Sequence, residues 1–379
     1  MENFVAYNPT KLHFGKGVLE NLYSLNELRN KRVLFVYGKK SIKTTGLYVR
    51  IKEQLIKAGA EVFEYEGIQP NPKVEDVNAA SKLGRDNNVD AVLAVGGGSV
   101  IDSAKIISIT VPADHDAWDF YSGKRKPQRS VPMVAVLTLA ATGTEMNPFA
   151  VLQNEKEGRK DGYGHPLCFP AHSFLDPEVT YTVPADYTAY GIADLIAHCL
   201  ENYFGKGDCS LSDRFIFSII QDAMEWGPKL MKNLNGYDER AAIMYDATMA
   251  LNMMTQYGKS GGDWGTHSLG HVVSLLFGTA HGATLSILFP AWMKLFKKEA
   301  EDRIVKLGNA LWNVSTVDET IENFEKFFTS IGSPVRFSEI GFTQNQVDEI
   351  IALWKKNKAG GSHYIVTDEA YATLAELAY

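Results

Sequence analysis

Residues 91–105 read Ala91-Val92-Leu93-Ala94-Val95-Gly96-Gly97-Gly98-Ser99-Val100-Ile101-Asp102-Ser103-Ala104-Lys105. The opening apolar run, bounded by glycine, predicts a strand buried on both faces, as strands are inside a parallel sheet. A helix is expected from about Ser99. Between them, three residues without a Cβ let the backbone approach an anion closely. A helix N-terminus adds unpaired N–H groups and partial positive charge, which together suit a pyrophosphate. The fingerprint G-x-G-x-x-G is absent, because Ile101 stands where its third glycine belongs. An ordinary Rossmann dehydrogenase is therefore not indicated.

The pattern repeats on both sides of this segment. Residues 33–37 (VLFVY) predict a strand, 46–58 a helix with Leu47, Ile51, Leu55 and Ile56 at helical spacing, 61–65 a strand, and 73–87 a helix. Residues 133–138 predict a further inner strand. Such alternation implies parallel strands joined by right-handed helical crossovers, an α/β layer fold. After the 133–138 strand comes a hydroxyl-rich turn, Thr138-Leu139-Ala140-Ala141-Thr142-Gly143-Thr144-Glu145. Its threonines are suited either to capping a helix or to meeting phosphate and ribose oxygens.

Beyond about residue 184 long amphipathic stretches take over, at 186–204, 211–232, 238–257, 264–277, 283–299 and 301–312. The chain is accordingly divided into an α/β dinucleotide-binding domain, 1–184, and an all-helical domain, 185–379. A chain of 379 residues exceeds the ~250–300 at which one core stops growing. With 45% hydrophobic residues it can fill two. Acidic residues outnumber basic ones by 45 to 38, a formal charge of −7, which disfavours a nucleic-acid or anionic-membrane surface. The start MENFVAYNPTKLHF lacks a cationic stretch before an apolar core, and no run is long enough to span a membrane. Cys168, Cys199 and Cys209 form no CxxC pair, so reduced thiols and a cytoplasmic setting are expected.

The helical half carries the chemistry. In 189–204 (AYGIADLIAHCLENYF) Asp194 and His198 stand four apart, hence on one helix face. His267 and His271 are again four apart, and His281 opens the next segment. One carboxylate with imidazoles among apolar residues suits a divalent first-row metal, although each such pair also occurs as a plain ion pair. HSLGH at 267–271 is not a zinc-protease helix, because Ser268 replaces the glutamate that H-E-x-x-H requires.

Together the segments NPTKLHFGKG, QPNP (69–72), VGGGSVIDSAK, TLAATGTEMN, FLDPEVTYTVP, GIADLIAHCLE and GTHSLGHVVSLLFGTAHGATLSILFPAW resemble the iron-containing (group III) alcohol dehydrogenases, in particular the butanol dehydrogenase and aldehyde reductase branch. The likeness runs over essentially the whole chain. It implies the metal ligands Asp194, His198, His267 and His281, with His271 beside them near substrate as a proton relay. It implies cofactor contacts at Gly38, Ser41, Asn71, Gly97, Gly98, Ser99, Asp102, Thr138, Thr142, Asn147 and Lys160. Leu139, Ala140 and Thr144 depart from residues common in the family. A homodimer and iron or zinc are the family expectation.

The loop after the first strand, Gly38-Lys39-Lys40-Ser41, holds no acid to bind a ribose diol and two cations able to meet a 2′-phosphate. It favours NADP(H) over NAD(H). The expected reaction is hydride transfer between a small uncharged alcohol or aldehyde and the nicotinamide, aided by a Lewis-acid metal. Two rivals are a lyase resembling dehydroquinate synthase, which needs more cations than the lone Lys259 before His267, and a catalytically silent nucleotide-binding protein.

Overall fold

The computed structural model describes residues 1–379, which cluster into two compact units, Tyr7–Val183 and Pro184–Tyr379, the latter joined by Met1–Ala6. The first six residues thus belong with the helical unit. Glu2 N–H donates to Gly258 O, and the Phe4 ring stacks on Tyr257 at 5.1 Å.

The first unit contains strands β1 Lys11–Phe14, β2 Arg32–Gly38, β3 Glu61–Ile68, β4 Ala91–Gly96, β5 Met133–Leu137, β6 Phe149–Asn154, β7 Arg159–Gly164 and β8 His172–Leu175. Six of them form one parallel sheet in the order β1-β8-β5-β4-β2-β3, and β6 with β7 makes a separate antiparallel hairpin. The helices are α1 Ser41–Thr44, α2 Leu47–Lys57, α3 Val74–Asp86, α4 Gly98–Thr110 and α5 Trp118–Tyr121. The sheet is the parallel α/β layer the alternation predicts. Every residue of β4 is buried, and so is every residue of α4 except Ser99. The run is therefore buried on all sides rather than on one face. The direction in which successive strands are added reverses between β4 and β2, since β3 lies on one flank and β5 on the other. In open α/β sheets ligands settle outside the carboxyl ends at such a switch point. Gly38, Gly96 and Thr138 all lie at that end.

The second unit is helical: α6 Ala185–Tyr203, α7 Ser210–Lys232, α8 Tyr237–Ala250, α9 Gly265–Phe277, α10 His281–Leu295, α11 Glu301–Trp312, α12 Val317–Ser330, α13 Gln344–Asn357 and α14 Ala370–Ala378. None is long and apolar enough to cross a membrane. The stretch expected to run helically over 238–257 stops at Ala250. There Asn252 turns its side chain onto Met254 N–H, while Met253 at φ 85 and Gly258 at φ 78 are left-handed. β1 and β8, four residues each, and the hairpin were not read from the sequence. β1 is a half-exposed edge, and β7 buries only Lys160. The residues after 312 supply three further helices whose short amphipathic patterns were passed over.

Candidate metal centre and dinucleotide site

Helices α6, α9 and α10 converge because glycines allow them to. A Cβ at Gly282 would collide with the backbone of Tyr190, one turn before Asp194 on α6. A Cβ at Gly270 would lie 2.5 Å from Thr284 Oγ1, so α9 and α10 also meet closely. That approach brings Asp194, His267 and His281 together, each offering one ligand atom, all within 4.8 Å of one another. Around Asp194 Oδ1 stand His198 Nε2 at 3.6 Å, His281 Nε2 at 3.7 Å and His267 Nε2 at 3.8 Å. These separations are too long for hydrogen bonds. Ligand atoms ~2.1 Å from a shared tetrahedral cation stand about 3.4 Å apart, close to what is seen. Asp194 Oδ1 and His267 Nε2 are buried with no hydrogen-bond partner, a costly state for a dry carboxylate unless a cation completes it. The donor set therefore fits a divalent metal.

Burial lowers the His198 pKa to about 4, which keeps the ring neutral and one nitrogen lone pair free. At His267 burial opposes the charge, but the Asp194 and Glu201 carboxylates outweigh it and raise the pKa to about 9. His271 lies next to the cluster, its ring 5.3 Å from that of His281. Trp264, the left-handed residue (φ 63) ahead of α9, is 5.2 Å from the His267 ring and 6.2 Å from His198.

One residue here was not singled out by the sequence reasoning. Glu201, 1% exposed, accepts from Thr266 Oγ1 at 2.5 Å, from His267 N at 3.0 Å and from His267 Nδ1 at 2.9 Å, all through Oε1. A glutamate on an otherwise apolar stretch, seven residues after Asp194, was the available signal.

The candidate dinucleotide residues lie in the first unit. Gly97 is the N-cap of α4 and has no side chain to satisfy the first helical N–H groups. A Cβ at Gly98 would fall 2.6 Å from Thr142 Cγ2 and 2.7 Å from its Oγ1, so the glycine turn and the threonine loop touch. Thr138 N–H donates to Gly96 O. Lys160 Nζ donates to Asn71 Oδ1 at 2.7 Å, bringing two of the candidates into contact. Asn71 itself is left-handed at φ 58. Gly38 ends β2 and Ser41 begins α1, exposed, after the exposed Lys39 and Lys40.

Asp102 and Asn147 sit behind this surface. Asp102 Oδ1 accepts from Thr144 Oγ1 at 2.6 Å and Oδ2 from Val151 N at 2.8 Å. Asn147 Nδ2 donates to Gly143 O, and its Oδ1 accepts from Phe149 N. Both are tied together by Lys105, also missed in the sequence. It is wholly buried and donates to Thr144 Oγ1 at 2.6 Å, Phe149 O at 2.6 Å and Asn147 Oδ1 at 3.0 Å. Burial pulls its pKa down to about 8, with the Asp102 carboxylate acting in the other direction.

Comparison with known proteins finds likenesses that together cover nearly the whole chain. The iron-containing alcohol dehydrogenase family matches residues 9–177, and the Fe-containing alcohol dehydrogenase family C-terminal domain matches 188–371. The chain is 41% identical over 359 residues, 92% of each chain, to a probable NADH-dependent butanol dehydrogenase 1 of Bacillus subtilis. It is 34% identical, across 97% of each chain, to the NADPH-dependent aldehyde reductase YqhD of Escherichia coli. Its fold is similar to the crystal structure of NADH-dependent butanol dehydrogenase A from Thermotoga maritima, with a TM-score of 0.94 at 35% identity, covering 100% of this chain and 99% of that one.

Proposed function

The chain belongs to the iron-containing alcohol dehydrogenase family and is accordingly a metal-dependent, NAD(P)-linked alcohol dehydrogenase; we propose that it interconverts a small primary alcohol of about butanol's size with its aldehyde, using a cation held by Asp194, His198, His267 and His281. The observation that carries this reading is the buried Asp194 Oδ1 without a hydrogen-bond donor, ringed by three imidazole nitrogens at 3.6–3.8 Å. A cation bound there supplies Lewis acidity, drawing negative charge onto the substrate oxygen. A bound nicotinamide supplies or accepts the hydride.

The chain's own residues bind, orient and move a proton. Asp194 and the three imidazoles face one point, where they would hold the cation that receives a substrate oxygen. His271, partly exposed beside His281, passes the alcohol proton toward solvent. Gly97, Gly98 and Ser99 offer the α4 N-terminus to the pyrophosphate. Thr138, Thr142, Asn71 and Lys160 border it, and Gly38 and Ser41 take the adenosine ribose. Asp102 and Asn147 serve the cofactor by holding the threonine loop, since their polar atoms are already engaged.

For the dinucleotide we infer a preference for NADP(H), supported by the exposed Lys39 and Lys40 and by the lack of an acid in the loop after β2. The NADH-dependent names of several relatives argue the other way, and the ratio of kcat/KM for NADPH and NADH with butanal decides. Three nitrogens and one oxygen suit iron or zinc, to be assigned by metal analysis of anaerobically purified protein. The family resemblance supports a homodimer, measurable by light scattering, and three free buried cysteines support a reducing cytoplasm. His267→Ala is expected to abolish metal retention and NADPH oxidation together. Full activity in the metal-free variant, or phosphate release from a phosphorylated substrate without net NADPH consumption, would overturn the reading.

A further inference from the structure

We propose that Glu201 is the positioning residue of the metal centre, a buried carboxylate that locks the His267 ring so that Nε2 alone faces the cation. The inference rests on the metal-binding reading above and assigns a role to a residue outside the ligand set.

Asp194, His198 and Glu201 occupy positions i, i+4 and i+7 of α6, so one face of one helix presents all three. Two of them point at the donor cluster, while Glu201 reaches the first turn of α9. Its Oε1 collects the Thr266 hydroxyl, the His267 backbone N–H and His267 Nδ1. The backbone N–H is one of the amides that the start of a helix leaves without an intrahelical acceptor. A carboxylate in that place is favoured by the helix dipole as well. Three donors and a helix N-terminus give the Glu201 side chain the partners that a polar group at 1% exposure requires.

The consequence for His267 is a fixed tautomer. A carboxylate at 2.9 Å keeps a proton on Nδ1, so the proton a cation displaces is the one on Nε2, and the lone pair this frees is directed at the space beside Asp194 Oδ1. The same bond, with the backbone anchor on the same residue, stops the ring turning. His198 has no such support, because its Nδ1 is buried without a partner.

The test uses the full chain and Co(II) as the probe, with affinity read by chelator competition and geometry by the visible d–d bands. Glu201→Gln keeps volume and an acceptor oxygen but loses the charge. Glu201→Met keeps volume only. Removing such an outer partner costs 10–100-fold in metal affinity, so the Gln variant is expected near the lower and the Met variant near the upper end. The Met variant should also show altered d–d bands, which a residue that merely filled space would not produce. Equal Co(II) affinity in wild type, Gln and Met overturns the role of Glu201 while leaving the metal centre intact. A wild-type chain that takes up no Co(II) overturns the metal reading, and this inference with it. If the Met variant fails to fold, the Gln variant decides alone, and wild-type affinity there overturns the proposal.

Discussion

The buried Lys105 gives the sharpest test of how the dinucleotide loops are held. Its ammonium has no exposed surface and donates to Thr144 Oγ1 and Asn147 Oδ1, in the loop between β5 and β6, and to Phe149 O, at the start of β6. Thr144 in turn donates to Asp102 Oδ1. Lys105→Met preserves the stem but leaves the buried Asp102 without the cation that most offsets its burial. Breaking one side of a buried pair costs about 3–5 kcal/mol. For a unit of this size, 1 kcal/mol moves the melting temperature by about 2–4 °C, so a fall of roughly 6–20 °C is expected in the transition of the α/β unit. The assay is differential scanning calorimetry, paired with NADPH titration by fluorescence. Affinity should drop as well, because the loop carrying Thr142 is no longer pinned. A double variant with Asp102→Asn removes both charges and should cost less than the sum of the singles. Strict additivity, or a shift under about 2 °C in Lys105→Met, would refute the coupling.

The pH dependence of the same group has a definite sign. Unfolded lysine titrates near ~10.4, whereas burial holds Lys105 at about 8. Between those values the unfolded chain binds the proton and the folded chain does not, so this group adds stability as pH rises through the window. The increment should vanish in Lys105→Met.

Three further outcomes are expected. Asp246, 6% exposed and raised to about 8 by burial and then by the Asp222 carboxylate, stays protonated in the fold at neutral pH. The folded state therefore binds the extra proton between ~4 and that value, and stability falls as pH climbs through the range. Asp246→Asn should flatten this loss and raise the melting temperature at pH 8, and an unchanged pH–melting curve would count against the buried carboxyl pair. Gly98→Ala places a Cβ 2.6 Å from Thr142 Cγ2 and should weaken NADPH binding at least ~10-fold, as a displaced backbone no longer meets the pyrophosphate. Adding Thr142→Ala should relieve the clash and restore the melting temperature but not the affinity, as read by the same calorimetry and titration. Gly282→Ala, pressed on the Tyr190 backbone, should lower Co(II) affinity by moving His281 away from Asp194, while NADPH affinity holds.

What could be read from residue order divides along physical lines. The β4–glycine–α4 run was legible because a strand buried on both faces demands a continuous apolar run, here broken sharply by three glycines before the helix. β1 and β8 were not, since four half-buried or short apolar residues carry no period to distinguish strand from loop. The stop at Ala250 depends on backbone angles at Met253 and Gly258 that an amphipathic pattern does not encode.

The candidate site divides in the same way. Metal ligands belong to a few chemical types and sit at helical spacing, so Asp194 with His198 and His267 with His271 stand out locally, even though the approach of α6, α9 and α10 cannot be read. Glu201 and Lys105 have no such signature, because each is defined by what it touches. The partners of Glu201 are 65 and 66 residues away, and those of Lys105 are 39 to 44 away. Yet both violate a rule visible in the bare sequence, a charge placed inside an apolar helix. A charge there must find buried partners or the helix does not pack, so in a chain like this each such residue marks a long-range network whose members only the fold can name. The residues that close the motifs VGGGSVIDSAK and GIADLIAHCLE, to which the motifs alone give no role, thus support the two sites the motifs found: Lys105 behind the glycine turn, and Glu201 behind the metal cluster.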